Sequence, residues 1–251
     1  MVVRPSLSIV EDAAKGARVV ADRLEELIRS RPDAVLALPT GRTPIPLYAE
    51  LTARYRRGQI DFARVRTFNL DEWVGVAAGS PGSYAAFMTE HLFSRVNLAR
   101  ENCHLPNGAA PDLDDECARY ERLIREVGGI DLAVLGIGHN GHIGFNEPGT
   151  PFESRTHVAR VTPQTRESNR WTFADGRVPD TAITVGIATI LGARGIVLLA
   201  TGQDKASIVA RALTCAVAPS IPASALQLHP NVQVIADAAA GGWASEISDI
   251  S

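Results

Sequence analysis

Cysteine is scarce in this chain, occurring only at Cys103, Cys117 and Cys215 in 251 residues. The odd number and the lack of a C-x-x-C pair argue against a disulfide framework, and none stands at metal-ligand spacing from a histidine. Reduced structural thiols of a cytoplasmic protein are the expectation. No apolar run approaches the roughly 20 residues that span a bilayer, so no membrane partner is expected. The N-terminal residues do not read as a signal peptide, because no basic segment precedes an apolar stretch. Neither sign of charge dominates: 25 Lys and Arg stand against 28 Asp and Glu, a formal net charge of -3. That balance gives no electrostatic reason to expect nucleic acid, although a local cluster of positive groups can still hold a small anion. Internal repeats and low-complexity tracts are also lacking. What is present, 45% hydrophobic and 21% charged residues, is ordinary for a globular protein with a sizeable core.

The hydrophobic pattern alternates between two periods. Residues Ser8 to Arg29 read as an amphipathic helix, with Ala13, Ala17, Val20, Leu24, Leu27 and Ile28 on one face. Ala34 to Leu38 reads as a strand, Pro39 to Pro44 as a tight loop, and the stretch through Leu47 and Leu51 as a helix for which Thr43 is the expected N-cap and Pro44 the first helical residue. Val65 to Leu70 is a strand ending in Asp71-Glu72, followed by a helix from near Ser83 with Tyr84, Phe87, Met88 and Leu92 on its apolar face. A helix through Leu113, Cys117, Tyr120, Ile124 and Val127 leads into the strand Ile130–Leu135. Gly195 to Ala200 is a strand, Ala206 to Leu213 a helix, and Val232 to Ala236 a closing strand. Near-continuous apolar strands alternating with helices predict an α/β fold: a single doubly wound, Rossmann-like domain over 1–251, its mainly parallel sheet covered by helices on both faces. Ligands bind such sheets beyond the carboxyl ends of the strands, where each polar loop lies. Gly149 to Val178 breaks the pattern. It is polar, weakly periodic and carries Arg155, Arg160, Arg166 and Arg170; a segment of this length predicts an active-site lid over 149–178.

Three loops carry residues suited to chemistry. Thr40-Gly41-Arg42-Thr43 combines a glycine that admits close approach, hydroxyl and guanidinium donors, and a following helix N-terminus that favours an anion. Thr201 to Lys205 has the same placement and adds a lysine suited to phosphate. Gly136-Ile137-Gly138-His139-Asn140-Gly141 matches the dinucleotide fingerprint G-x-G-x-x-G. That reading fails, because the glycines must open a helix and the continuation His142-Ile143-Gly144-Phe145-Asn146-Glu147-Pro148-Gly149 adds two glycines and a proline. A metal site at His139, His142 and Glu147 is also disfavoured, since no helix sets H-x-x-H geometry and zinc needs a further ligand. Acid–base work fits better: a histidine exchanges protons near neutrality and a nearby carboxylate holds its tautomer. Asp71, after its own strand, is either a helix cap or ion-pair partner or, beside the other loops, a carboxylate base.

Taken together, these segments resemble the glucosamine-6-phosphate deaminases over nearly the whole chain. The resemblance rests on Leu38-Pro39-Thr40-Gly41-Arg42-Thr43-Pro44, Thr67-Phe68-Asn69-Leu70-Asp71-Glu72-Trp73, Ser83-Tyr84 with Phe87-Met88, Gly141 to Pro148, Ser154-Arg155-Thr156 and Thr184-Val185-Gly186-Ile187. The string His-Ile-Gly-Phe-Asn-Glu-Pro separates that family from the related phosphogluconolactonases. It implies conversion of glucosamine 6-phosphate and water to fructose 6-phosphate and ammonia without metal or organic cofactor. By the same resemblance, His142 opens the sugar ring with Glu147 assisting, Asp71 moves the proton from C2 to C1, and Thr40, Gly41, Thr43 and Lys205 hold the phosphate, with Arg42 beside them. A small-molecule sugar phosphate is then the partner, and a homo-oligomer is compatible with the family.

Two departures from the family pattern stand out. Asn140 occupies a position where well-known members carry Asp; it can orient His142 but cannot stabilise an imidazolium as strongly, so a shifted pH profile is expected. Arg170 follows Asn169 directly, one residue earlier than the family's lid arginine. Two alternatives keep the fold: a deaminase for another amino-sugar phosphate such as galactosamine 6-phosphate, and a non-catalytic sugar-phosphate sensor. A regulator should carry a DNA-binding module, and the chain offers one helix before its first expected strand.

Overall fold

The computed structural model describes residues 4–174 and 176–244. Its elements in chain order are β1 (Ser6–Val10), α1 (Ala13–Ser30), β2 (Val35–Leu38), α2 (Ile45–Arg56), β3 (Arg66–Asn69), β4 (Asp71–Trp73), α3 (Tyr84–Met88), β5 (Cys103–His104), α4 (Leu113–Glu126), β6 (Leu132–Leu135), β7 (His157–Arg160), α5 (Pro163–Asn169), β8 (Thr181–Thr184), α6 (Ile187–Leu191), β9 (Gly195–Ala200), α7 (Ala206–Thr214), β10 (Val232–Asp237) and α8 (Ala238–Gly241).

Seven strands form a parallel sheet in the order β1-β10-β9-β6-β2-β3-β5. From β2 the chain winds outward through β3 and β5, then returns to place β6 on the other side of β2 and continues through β9 and β10. The order therefore reverses between β2 and β6, and the crevice at that reversal is where such sheets bind ligands. The period-2 alternation of strand side chains explains why both faces need helices. Leu36, Leu38, Val134, Val197 and Leu199 pack against Ala17, Val20 and Leu24 of α1 and Leu47, Tyr48 and Leu51 of α2. Their alternate neighbours Val35, Ala37, Ala133, Leu135, Ile196 and Leu198 pack with Tyr120 and Ile124 of α4 and Ile208, Val209 and Ala212 of α7. The doubly wound, mainly parallel architecture read from the alternation is the one observed.

A second sheet differs from expectation. β4, β8 and β7 form a three-stranded antiparallel sheet. Only Leu70 separates β3 from β4, so one continuous extended segment leaves the parallel sheet and enters the small one, with Asp71 at the junction paired to Thr184. Trp73, Tyr84, Phe145, Val161, Val178 and Ala182 form its own apolar cluster. The segment 149–178 thus contains β7 and α5 rather than an unstructured excursion.

Two local expectations are corrected. The first helix does not reach back to Ser8: Ser6–Val10 is the edge strand β1, and Asp12 begins α1 by accepting from the Lys15 backbone N–H at 2.7 Å. Ile9 and Val10 happen to fall on the helical period, which hid the strand. Thr43 does not cap α2, which follows Pro44 and starts at Ile45. A capping hydroxyl needs the amide two or three residues on; Pro46 has none, and the Ile45 N–H already donates to the Arg42 carbonyl at 3.2 Å.

Candidate active site

At the reversal point lies a cavity of about 470 Å³, within the range of small-molecule sites. The loops after β2, β6 and β9, the start of β4, Tyr84 of α3 and the helix α5 supply its walls. Of the residues singled out by sequence, Thr40, Gly41, Arg42, Thr43, Asp71, Asn140, His142 and Lys205 all line it. Glu147 stands behind Asn140, and Arg170 is turned elsewhere.

The loop between β6 and the small sheet is folded to present one imidazole. The Gly138 N–H donates to the His142 carbonyl and the Gly141 N–H to the Gly138 carbonyl, each at 2.9 Å. A side chain at Gly138 would overlap the His142 ring, so glycine is what lets the ring lie flat on its own loop. Asn146 fastens the far end through its Nδ2, which donates to the carbonyls of Ile143 and Val185 at 2.8 Å each.

The His142 Nδ1 and the Asn140 Oδ1 are 2.8 Å apart, and the Asn140 Nδ2 donates to the Glu147 Oε2 at 2.5 Å. Glu147 Oε1 accepts from the backbone N–H and the hydroxyl of Thr162, both at 3.2 Å. A carboxylate only accepts, so the amide of Asn140 must face it with its NH₂ and turn its oxygen to the ring. An oxygen there requires the proton on Nδ1, which leaves Nε2 as an acceptor. Burial holds the His142 imidazolium form down, to a pKa of about 4; the charge of Glu147 opposes this, while Lys205 and His139 add to it. His142 is therefore a neutral base of fixed tautomer.

Asp71 and Glu72, adjacent in sequence, divide two roles between them. Glu72 accepts from the backbone N–H groups of Trp73 and Tyr84 at 2.9 Å and of Ala85 at 3.0 Å, capping α3. The Asp71 carboxyl accepts no hydrogen bond from a described residue and lines the cavity while almost fully buried. Burial first, and then the charge of Glu72, push its pKa up to about 8. Such a group exchanges protons near neutrality, as a general base must. Gly144, at φ +57°, sits against it: a Cβ there would lie 2.8 Å from the Thr184 hydroxyl and 3.6 Å from an Asp71 oxygen.

The same cavity is lined by two positive groups, Arg42 and Lys205. Burial depresses the Lys205 ammonium, with Asp204 opposing. Arg42 lies over the Trp171 ring, 5.0 Å from its centroid. Tyr48 ties the loop after β2 to α2 by donating its hydroxyl to the Pro39 carbonyl. Arg170 does not line this cavity. Its guanidinium lies 3.6 Å from Glu167 and lines an adjoining outer hollow with Phe173 and Gly176, a hollow that Arg42 and Trp171 also border. His139 is likewise turned from His142 and meets Asp204 at 2.6 Å. Among the described residues no three His, Cys, Asp or Glu side chains are grouped to share a metal ion, and no helix is long and apolar enough to cross a membrane.

Several wall residues escaped the sequence reading. Tyr84 stands in the sequence as a core position and within a family motif, without a site role, yet it lines the cavity and its hydroxyl donates to Asn169 at 3.3 Å. Thr162 and Thr165 lie in a Thr-Pro-x-Thr stretch that is an N-cap signature, and Thr162 does cap α5. The surrounding segment lacks periodicity, which masks this signal.

The sequence profile of the glucosamine-6-phosphate isomerases/6-phosphogluconolactonase family matches residues 10–235. The chain is similar to a glucosamine-6-phosphate deaminase of Bacillus pumilus, 46% identical over 232 residues that cover 92% of this chain and 96% of the relative. It is similar to glucosamine-6-phosphate deaminase 2 of Giardia intestinalis, 46% identical over 96% of this chain and 92% of the relative. Its fold is similar to the solved structure of a monomeric glucosamine-6-phosphate deaminase, with a TM-score of 0.92, 39% identity, and coverage of 94% of this chain and 99% of that one.

Proposed function

From its place in the glucosamine-6-phosphate isomerase/6-phosphogluconolactonase family, to which the chain belongs, we propose that it deaminates glucosamine 6-phosphate to fructose 6-phosphate and ammonia in amino-sugar catabolism. The reading is carried by one observation: an unpartnered carboxyl poised near neutrality and a neutral histidine of fixed tautomer share a cavity that the cations Arg42 and Lys205 also line.

Thr40, Gly41, Arg42, Thr43 and Lys205 hold the phosphate, which anchors the sugar so that both bases meet their protons. His142 Nε2 takes the proton of the anomeric hydroxyl and delivers it to the ring oxygen, giving the open aldehyde. Asn140 and Glu147 hold the ring through Nδ1 during both transfers. The Asp71 carboxylate then removes the C2 proton, acidified by the adjacent carbonyl, while O1 takes a proton from the substrate ammonium to give the enolamine. Asp71 returns the C2 proton to C1, and water hydrolyses the resulting C2 iminium to the ketose and ammonia, released as ammonium. Neither metal nor organic cofactor enters these steps. Residues 149–178 act as the lid, with Thr165, Asn169 and Trp171 forming its inner side. We place the enzyme in the cytoplasm, with a small-molecule sugar phosphate as its partner.

Ammonia release from glucosamine 6-phosphate and from galactosamine 6-phosphate tests the reading. Ammonia and fructose 6-phosphate in equal amounts from the first support it. No ammonia from the first sinks it, and release from the second alone reassigns the sugar.

A further inference from the structure

Arg42 is a cavity-wall cation that lies over the ring of Trp171. Among the described residues Arg42 makes no ion pair, whereas three arginines of segment 149–178 are engaged: Arg155 with Glu121, Arg166 with the Val178 carbonyl and Arg170 with Glu167. Trp171 is 40% exposed, one of three large apolar side chains in that state. Its ring and the Arg42 guanidinium lie 5.0 Å apart, and both residues belong to the cavity wall. Burial of apolar surface does not explain the placement of an indole left this open to solvent; the guanidinium against its ring does.

A guanidinium held over a ring face by its charge still has N–H donors to offer an anion. We propose that Trp171 is a positioning residue for phosphate: it holds the Arg42 guanidinium at the cavity wall and thereby makes lid placement and phosphate capture one event. This deepens the deaminase reading and rests on it. Arg42 arises from the loop between β2 and α2, and Trp171 from the turn after α5. The pair is therefore a bridge between the phosphate wall and the lid. Phosphate on those donors draws Arg42 and the lid together. A lysine at 42 would carry the same charge without the plane, and a leucine at 171 would keep apolar bulk without the ring face.

The test is binding of inorganic phosphate, followed by calorimetry and by tryptophan emission, alongside KM and kcat for glucosamine 6-phosphate. Trp171→Leu should weaken phosphate binding and raise KM about three- to tenfold, with kcat within about twofold. Trp171→Phe, which retains a ring face, should recover most of the loss. Arg42→Lys should weaken phosphate binding in the wild-type background and have little further effect in Trp171→Leu, because the plane it removes is already released. The open position of Trp171 keeps these variants folded. Equal phosphate affinity in wild type and Trp171→Leu overturns the inference, as does an additive Arg42→Lys, Trp171→Leu pair. Phosphate binding is read without turnover, so a wild-type protein that binds phosphate through Trp171 but releases no ammonia refutes the deaminase reading alone.

Discussion

His142 and Glu147 act on one another through an amide. Their nearest atoms, Nδ1 and Oε2, are 3.8 Å apart, and Asn140 lies between them, 2.8 Å from the ring and 2.5 Å from the carboxylate. An asparagine in this place transmits orientation without carrying charge, and the consequences are open to measurement.

Asn140→Asp brings negative charge from 3.8 Å to about the 2.8 Å of the present contact, whether or not the new carboxyl shares a proton with Glu147. The imidazolium of His142 gains stability, so its pKa rises by about one unit or more. Since the neutral ring is the base, the acid limb of the kcat/KM profile should move to higher pH by a similar amount. A limb that stays in place refutes the role of Asn140.

Glu147→Gln leaves one oxygen where two now accept. Thr162 N–H, its hydroxyl and Asn140 Nδ2 all need that oxygen, and one NH₂ must meet a donor. A loss of about 1–3 kcal/mol of stability is expected from the unsatisfied group, with kcat lowered about ten- to a hundredfold as the tautomer of His142 becomes free. Denaturant melts and steady-state rates check both figures.

Asp71→Asn should separate activity from stability. Turnover should fall by at least about 10²–10³-fold with loss of the base. Stability should rise, by an amount that depends on pH. The folded pKa of about 8 lies above the unfolded value near 3.8, so the native state binds the extra proton between those limits. Its contribution is therefore full below about pH 4 and is lost as pH climbs towards 8. Thermal melts of the variant should exceed wild type by a wider margin at pH 8 than at pH 5, by several degrees. His142, lowered to about 4, acts in the opposite sense only on the acid side: its neutral burial costs stability as pH falls from about 6.5 towards 4.

Gly138→Ala forces a methyl group into the His142 ring. Overpacking of this kind costs about 1–3 kcal/mol, and kcat should drop with the displaced base. In a His142→Ala background the same substitution should cost less than about 0.5 kcal/mol, because the obstacle is gone. Equal costs in the two backgrounds would show that the glycine serves the backbone instead.

The central strands of the parallel sheet were legible because they are buried on both faces and read as plain apolar runs, as Leu132–Leu135 and Gly195–Ala200 do; the edge strands Ser6–Val10 and Cys103–His104, only partly buried, were not. The small sheet was not. Asp71–Trp73 is three residues long and polar at two of them, and its partner Thr181–Thr184 gains its burial from Phe145 and Trp73, which are distant in sequence. The loops that form the cavity were legible as loops, since glycine and proline mark them. The division of labour between Asp71 and Glu72 was not, because it depends on which carboxyl reaches the amides of α3. Arg170 and Trp171 show the same limit: composition places both in the lid, and only the turn after α5 decides which one faces in.

The seam at Leu70 has a metric consequence. Asp71 begins the small antiparallel sheet, and the His142 loop is pinned to that sheet through Asn146 and Phe145. Thr40 to Thr43 and Lys205 follow strands of the parallel sheet. On the proposed reading the phosphate loops hang from one sheet and the two bases are fixed to the other, with a single residue of chain setting their spacing between β3 and β4. Such a site works as a calliper, and a sugar phosphate one carbon shorter should bind without turnover.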